Sequence, residues 1–307
     1  MDAIGRLFTY VEIKTKITSV FPFLMTLAYL TVNGDTIDPL RTAVFFCGMF
    51  LFDLTATTIN NYNDTKNNHQ TLTLPRNTAL IITFLLFALS TALGIWLVAL
   101  TDIVVLIAGA LCFLFGVLYS YGPVPISHGP YGEAVSGFFY GFLIPFIIVY
   151  INAPETLFTY SLVGGAFTVK FFIIPLIGLV LLGVLPTCLT ANIMFANNIC
   201  DCEHDIAVKR FTLAYYLKRK HALYLFAALY YLAYASVVLM VALRLLPFLS
   251  LLLLVTLIPV QKNINVFFKK QVKEETFIVA IKNFLLIIIA HIALIFLGAL
   301  LPGWGVG

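Results

Sequence analysis

Two clusters rich in Asn and Asp stand out in a chain that is 61% hydrophobic and only 10% charged. The first, residues 60–68, reads NNYNDTKNN, and the second, residues 197–205, reads NNICDCEHD. Together they hold four of the 14 acidic residues, and each follows a long apolar stretch. Because carboxylates in or near a bilayer are costly, their presence there predicts a functional site.

The spacing within each cluster is that of one helix face. Asn60, Asp64 and Asn68 are separated by four residues each, as are Asn197, Asp201 and Asp205, so each set would project its oxygens in one direction. Carboxylate and amide oxygens that only partly fill a coordination shell suit Mg²⁺, which is often completed by water and substrate phosphates. We therefore predict metal ligands at Asn60, Asp64, Asn68, Asp201 and Asp205. The alternative is ordinary helix capping, since Asn and Asp also satisfy free backbone groups at helix ends.

Basic residues near the two clusters would neutralise the remaining phosphate charge of a bound diphosphate. The candidates are Lys14, Lys66, Arg76, Lys209 and Arg210.

The elements that must position these residues are membrane-spanning helices. Mean hydropathy is +1.01, and apolar runs of about 20 residues recur along the chain. They predict nine spans, at residues 17–33, 40–60, 78–99, 102–121, 134–152, 172–196, 221–241, 244–261 and 277–301. The alternating ten-residue segments of a membrane β-barrel are absent from the sequence. We expect an all-α bundle that forms a single domain over residues 1–307, and the net charge of +4 requires no nucleic-acid partner.

The basic residues also predict an orientation. With nine spans, 15 of the 18 Lys and Arg residues fall on one side of the membrane and three on the other. By the positive-inside rule, the N-terminus and both clusters lie in the cytoplasm and the C-terminus lies outside. The expected location is the cell membrane, with lipid as the surrounding partner. The outward segment 153–171 mixes apolar and small residues and is predicted to lie along the surface.

The two clusters resemble the signature motifs of UbiA-type intramembrane prenyltransferases. Asn60-Asn61-x-x-Asp64-x-x-x-Asn68 is similar to their first motif, N-[DN]-x-x-D-x-x-x-D. Asp201-x-x-x-Asp205, followed by a basic-x-Thr-Leu run at 210–213, is similar to their second motif. The chain departs from the pattern at Asn68, where the family has Asp. The runs at 12–16 and 197–201 resemble the branch that prenylates 1,4-dihydroxy-2-naphthoate in menaquinone biosynthesis.

This resemblance implies a mechanism and roles for further residues. Asp64, Asp201 and Asp205 would be catalytic, holding Mg²⁺ against a polyprenyl diphosphate, and an aromatic acceptor would capture the allylic group, with decarboxylation if it is the naphthoate. The residues expected around the acceptor or the cation are Asn61, Tyr119, Tyr121, His128, Asn197 and Asn198. No obligate protein partner is expected. At Asn68, an uncharged amide predicts weaker binding of one metal ion rather than loss of activity.

Three alternatives remain at this point. The same chemistry could act on another acceptor, such as 4-hydroxybenzoate. A secondary transporter would instead use its polar residues as a cation pathway, but it should then carry ionisable residues near the membrane midplane. A family member that has lost activity is the third alternative, for which Asn68 is the only indication.

Overall fold

The computed structural model describes residues 3–67 and 71–300. Within these residues, nine helical stretches are long and apolar enough to cross a membrane. Numbered 1 to 9 in chain order, these spans are Ile13–Asn33, Pro39–Thr65, Arg76–Leu100, Ile103–Ser120, Gly132–Asn152, Ile173–Cys200, Leu213–Ala242, Phe248–Lys269 and Ile278–Leu300. The prediction of a nine-span helical membrane protein is confirmed.

The α-helices have the following bounds: α1 Ala3–Tyr10, α2 Ile17–Asn33, α3 Pro39–Asn67, α4 Arg76–Leu100, α5 Ile103–Ser120, α6 Gly132–Phe138, α7 Ile144–Asn152, α8 Ile173–Cys200, α9 Cys202–Ala207, α10 Leu213–Ala242, α11 Leu257–Lys269 and α12 Ile278–Leu300. Short 3₁₀ segments occur at Ile13–Lys16, Ile126–His128, Pro154–Thr156 and Phe248–Thr256. Span 5 consists of α6, a π-helical turn at Phe139–Leu143, and α7.

The predicted span edges depart most from the structure on the side that carries the clusters. There span 7 begins at Leu213 rather than at 221, and span 8 ends at Lys269 rather than at 261. On the opposite side, span 8 begins at Phe248 rather than at 244. In span 8, Pro247 precedes a 3₁₀ segment, and Pro259 lies in the first turn of α11, where its missing N–H breaks no helical hydrogen bond. Charged residues such as Lys262 are accommodated because these helices continue past the apolar stretch.

The segment between spans 5 and 6, at the membrane side opposite the clusters, forms a β-hairpin. Strands β1 (Phe158–Val163) and β2 (Ala166–Phe171) pair antiparallel, with Phe158 opposite Phe171. The two-residue turn is Gly164-Gly165, with φ of 57° and 82°, which is the left-handed geometry that such hairpins require. The sequence analysis missed these strands, although alternation around a Gly-Gly pair is a hairpin signal.

Spans 5 and 6 approach each other closely at a glycine. A Cβ on Gly141 would lie 2.1 Å from the Thr187 backbone nitrogen, so only glycine fits there. Gly141 belongs to the π-helical turn, and such turns occur frequently at functional sites. Buried side chains of spans 1, 6, 7, 8 and 9 form one apolar core, and the halves of spans 1 to 6 remote from the clusters form another.

Candidate active site

A cavity of about 1050 Å³ lies among spans 1 to 6, and the two Asn/Asp clusters form its polar end. The polar end is lined by Asn60, Asn61, Asp64, Asn197, Asn198, Asp201, His204, Asp205, Arg210 and Lys273. Towards the other side of the membrane the lining becomes apolar and includes Val44, Phe45, Met49, Leu97, Val105 and Ile147. The cavity can therefore hold a charged head group at one end and a long apolar chain behind it.

The first cluster lies where α3 continues beyond the apolar part of span 2. Asn60 Nδ2 donates to Asp64 Oδ2 at 3.2 Å, which confirms that the two residues share a helix face. Ser120 Oγ donates to Asn60 Oδ1 at 2.9 Å, and Asn61 Nδ2 donates to the Tyr10 carbonyl at 2.9 Å. The cluster is thus tied to α1 and α5 by neutral hydrogen bonds.

The second cluster lies at the break between α8 and α9. The Asp205 backbone N–H donates to the Asp201 carbonyl at 2.8 Å, so the helical turn persists and both carboxylates remain on one side. The Asp201 carboxylate pairs with Lys273. The Asp205 side chain is buried, and its Oδ2 has no hydrogen-bond partner. Burial raises the pKa of the Asp205 carboxyl above its ordinary value, while the Arg210 guanidinium acts in the opposite direction.

Arg210 joins the two clusters. Its Nη1 lies 4.0 Å from Asp64 Oδ2, and its Nε lies 3.7 Å from Asp205 Oδ1. The local backbone explains this position, because Lys209 has a left-handed φ of 60° and the Arg210 N–H returns to the Asp205 carbonyl at 2.8 Å, as at many helix ends. On the far side of Asp64, His128 Nε2 is 4.0 Å from Asp64 Oδ1.

A further acidic residue, outside both clusters, faces the second cluster. Glu133, at the start of span 5, is 3% exposed, and its Oε1 accepts a 2.8 Å hydrogen bond from Asn198 Nδ2. Its Oε2 has no partner. The sequence analysis did not include Glu133 among the site residues; its signal was an acidic residue at the opening of a membrane span.

The donor set fits a hard, partly hydrated cation. The buried, unpartnered carboxylate oxygen of Asp205 and the amide side chains of Asn197 and Asn198, which line the cavity with it, offer the oxygen ligands that Mg²⁺ prefers. Glu133 does not line the cavity. Among the described residues, no three His, Cys, Asp or Glu side chains come close enough to hold a metal ion by themselves. This arrangement suits an ion that keeps waters and gains ligands from substrate phosphates rather than one enclosed by protein.

Of the predicted diphosphate-binding residues, Arg210 lines the cavity, whereas Lys14, Arg76 and Lys209 do not. Lys14 and Lys209 are exposed. The Arg76 guanidinium lies 4.7 Å from the centre of the Tyr62 ring. The Lys66 side chain and Asn68 lie outside the described part of the structure. Lys273, which is not among the predicted diphosphate-binding residues, pairs with Asp201.

The predicted acceptor and cation residues divide between two spaces. Tyr119, like Asn61, Asn197 and Asn198, lines the main cavity. Tyr121 and His128 line an adjoining recess of about 380 Å³ that also contacts Asp64. Which of these residues contacts an acceptor remains a prediction.

Comparison with known proteins shows one consistent relationship. The model of the UbiA prenyltransferase family matches residues 19–288. A 1,4-dihydroxy-2-naphthoate octaprenyltransferase of Bacillus subtilis (strain 168) is 29% identical over 152 residues, which cover 50% of this chain and only 43% of that protein's length.

Solved structures share the fold. A UbiA homologue from Aeropyrum pernix K1 superposes with a TM-score of 0.61 at 14% identity, covering 89% of this chain and 97% of that one. A UbiA homologue from Archaeoglobus fulgidus bound to DMAPP and Mg²⁺ gives a TM-score of 0.58 at 13% identity, covering 94% and 99%. A structure concerned with digeranylgeranylglyceryl phosphate synthase gives 0.63 at 18% identity, covering 96% and 99%.

Proposed function

The chain belongs to the UbiA prenyltransferase family, and on that premise we propose that it transfers a polyprenyl group from an allylic diphosphate to 1,4-dihydroxy-2-naphthoate. The observation that carries this proposal is the cavity, whose carboxylate-lined polar end continues into a long apolar space. Because the family is one of prenyltransferases, the transporter alternative is not retained. The proposed reaction is a step of menaquinone biosynthesis.

We propose that Asp64, Asp201 and Asp205, with the amide oxygen of Asn60 and with Asn68, hold Mg²⁺ at the polar end. When bound, Mg²⁺ supplies positive charge that stabilises the diphosphate as a leaving group. The unpartnered Asp205 oxygen supports this assignment, because a buried carboxylate oxygen without a partner is costly unless a ligand occupies it. The Archaeoglobus fulgidus homologue with DMAPP and Mg²⁺ supports the same choice of metal and donor.

The protein's own residues then orient the donor. Arg210, between Asp64 and Asp205, is placed to bind the phosphate oxygens with its planar guanidinium. Lys273 pairs with Asp201 and also lines the cavity, where it can add a second positive charge. The apolar lining accepts the prenyl tail, and the Tyr119 ring lies in the wall where its π face can stabilise a developing cation.

In the proposed transfer, the bond between the first prenyl carbon and the diphosphate oxygen breaks, and the electron pair leaves with the diphosphate. The carboxylate-bearing ring carbon of the naphthoate forms the new carbon–carbon bond. The carboxyl group then leaves as CO₂, and its bonding electrons restore the aromatic ring. The Bacillus subtilis relative's name and the runs at 12–16 and 197–201 support this acceptor, whereas 4-hydroxybenzoate is the alternative within the same chemistry.

The protein is a multi-pass membrane protein, and we further propose that it lies in the cell membrane with its active site facing the cytoplasm. The uneven distribution of Lys and Arg supports this orientation.

A membrane assay tests the proposal. Membranes containing the protein are offered labelled farnesyl or geranylgeranyl diphosphate with 1,4-dihydroxy-2-naphthoate or with 4-hydroxybenzoate, with and without Mg²⁺. Magnesium-dependent prenylation and decarboxylation of the naphthoate is the expected result. Product from the benzoate alone would keep the mechanism and correct the acceptor, and no product from either would contradict the proposed acceptors.

A further inference from the structure

A second polar group lies in the wall of the same cavity, away from the carboxylate clusters. Lys16 Nζ lies 2.9 Å from Asp53 Oδ1 and also hydrogen-bonds Thr57 Oγ1. Ser19 Oγ donates to Asp53 Oδ2 at 2.6 Å, and Tyr140 Oη donates to Asp53 Oδ1 at 2.8 Å. Lys16 and Asp53 are only 3% and 5% exposed, so the ion pair is almost completely removed from solvent.

The position of Asp53 along α3, relative to Asp64, determines which substrate can contact the Lys16–Asp53–Tyr140 group. Asp53 precedes Asp64 by three helical turns on α3, which corresponds to roughly 16 Å along the axis. A diphosphate held at Asp64 and an aromatic ring beneath it would together bridge that distance. A prenyl tail carries no group that forms hydrogen bonds, so polar atoms at this level have no partner in the donor. An aromatic acceptor with ring hydroxyls does offer one.

Within the group, the charges of the ion pair are already paired, whereas the Tyr140 hydroxyl donates one hydrogen bond and can still accept another. Lys16 and Asp53 neutralise each other, and both Asp53 oxygens accept hydrogen bonds. The Tyr140 hydroxyl donates its hydrogen bond to Asp53, and as a cavity-lining residue Tyr140 keeps oxygen lone pairs that can accept one more hydrogen bond. Tyr140 also belongs to the π-helical turn of span 5, a local departure from α-helix that changes the direction of its side chain.

We propose that Tyr140 is an acceptor-binding residue, whose phenol oxygen accepts a hydrogen bond from a ring hydroxyl of the aromatic substrate. The buried Lys16–Asp53 pair is its positioning device, because it fixes the Tyr140 hydroxyl proton and therefore the direction of the lone pairs. A hydroxyl that donates in this way pushes electron density into the ring, which favours capture of an allylic cation. This inference rests on the proposed function, since it requires an aromatic acceptor.

The chain supplies a matched control on the same span. Tyr150 Oη donates to Asp102 Oδ2 at 2.6 Å, which repeats the Tyr–Asp hydrogen bond near the outer end of span 5. Neither Tyr150 nor Asp102 lines the cavity. Loss of the hydroxyl at this second position removes a similar hydrogen bond without touching an acceptor.

The test measures equilibrium binding on the purified full-length protein in micelles. The probes are 1,4-dihydroxy-2-naphthoate, its two monomethyl ethers and, separately, geranylgeranyl diphosphate with Mg²⁺. We expect Tyr140→Phe to weaken naphthoate binding about tenfold, the effect of one hydrogen bond, and to leave donor binding unchanged. The wild type should discriminate against one of the two ethers, and Tyr140→Phe should lose that discrimination. Tyr150→Phe should behave as the wild type in every measurement.

A second variant separates positioning from simple structural support. Asp53→Asn alone leaves the Lys16 charge buried and unpaired, whereas the double variant Lys16→Met with Asp53→Asn removes both charges and keeps an oxygen for the Tyr140 hydroxyl. We expect the single variant to weaken acceptor binding and the double variant to recover most of it.

Several results would overturn this inference. Equal naphthoate affinity in the wild type and Tyr140→Phe would do so, as would an equal loss in Tyr150→Phe or an equal loss of donor affinity. 4-Hydroxybenzoate is offered to the wild type as a further probe. A wild-type protein that binds the donor but neither the naphthoate nor 4-hydroxybenzoate would instead refute the acceptor class of the proposed function, and this inference with it.

Discussion

The cluster at the end of α3 and the cluster around the α8–α9 break contain similar residues at similar spacing, yet their side chains are held differently. Asp64 is about one-fifth exposed and is reached by Arg210 and His128 only at 4.0 Å. Its hydrogen bond comes from the neutral amide of Asn60. Asp205 is 5% exposed and keeps an unpartnered oxygen, and Asp201 is paired with Lys273.

This difference indicates a division of roles between the clusters. A buried carboxylate with a free oxygen is held in place for a ligand and gains most when a cation arrives. A more exposed carboxylate among amides can move and is better hydrated. We therefore expect the second cluster to dominate metal binding and the first to adjust to the diphosphate.

The largest effects are expected from removing the carboxylates. Asp201→Ala and Asp205→Ala should lower Mg²⁺-dependent prenyl transfer by about 10³-fold and Asp64→Ala by about 10²-fold, through lost transition-state stabilisation. Steady-state turnover of each variant at saturating Mg²⁺ measures these losses of activity. Glu203→Ala, which removes an exposed carboxylate of α9 that does not line the cavity, is the control and should remain active. Full activity in any of the three aspartate variants would refute the two-cluster metal site.

A smaller effect is expected at the residue that joins the clusters. Arg210→Gln should raise the donor KM at least about tenfold, because a charge-assisted hydrogen bond to phosphate is lost. Lys209→Gln is the matched neighbour, since Lys209 is exposed and does not line the cavity, and its KM should change less than about twofold. If both substitutions raise the donor KM equally, Arg210 contributes only general positive charge and makes no specific hydrogen bond to the phosphate.

A gain is expected where the first cluster departs from the family pattern. Asn68→Asp adds a carboxylate to the first cluster, which has fewer carboxylates than the second. The apparent Mg²⁺ affinity should therefore rise a few-fold or stay equal. Titration of activity with Mg²⁺ measures the change, with Asn67→Asp as the control for added negative charge alone. A folded but inactive Asn68→Asp protein would show that the amide at this position has a role of its own.

The smallest effect concerns stability rather than turnover. Lys273 is about half exposed, so its pair with Asp201 is screened by solvent, and Lys273→Gln should cost less than about 1 kcal/mol of unfolding free energy. Thermal denaturation in micelles at two salt concentrations measures this loss of stability. The difference in stability between Lys273→Gln and the wild type should shrink at high salt. A large, salt-independent loss would mean that the pair is buried in the membrane-bound protein.

Sequence reasoning succeeded for features encoded by local periodicity. Nine apolar stretches of sufficient length had to be membrane helices, because only such helices satisfy their own backbone in lipid. The four-residue spacing placed Asn60 with Asp64, and the helical turn from Asp201 to Asp205 likewise holds in the structure. The β-hairpin and the start of span 8 were missed because proline and glycine there change the local geometry.

The sequence could not show which basic residues reach the clusters. Proximity along the chain suggested Lys14, Arg76 and Lys209 as readily as Arg210, yet of these only Arg210 lines the cavity. The left-handed turn at Lys209 sends the two neighbouring side chains in different directions. Lys273 reaches Asp201 from a loop 72 residues away, and no local pattern indicates such a contact.

The sequence by itself determined that this protein is a membrane bundle with two oxygen-rich clusters on one side, because hydropathy and helical spacing depend only on near neighbours along the chain. The tertiary structure alone decided which charges meet. It brought Arg210 between two clusters from different spans, paired Lys16 with Asp53 inside the cavity wall, and aimed Tyr140 at that pair. Such contacts depend on how the helices pack and on close approaches such as that at Gly141, which local sequence does not specify.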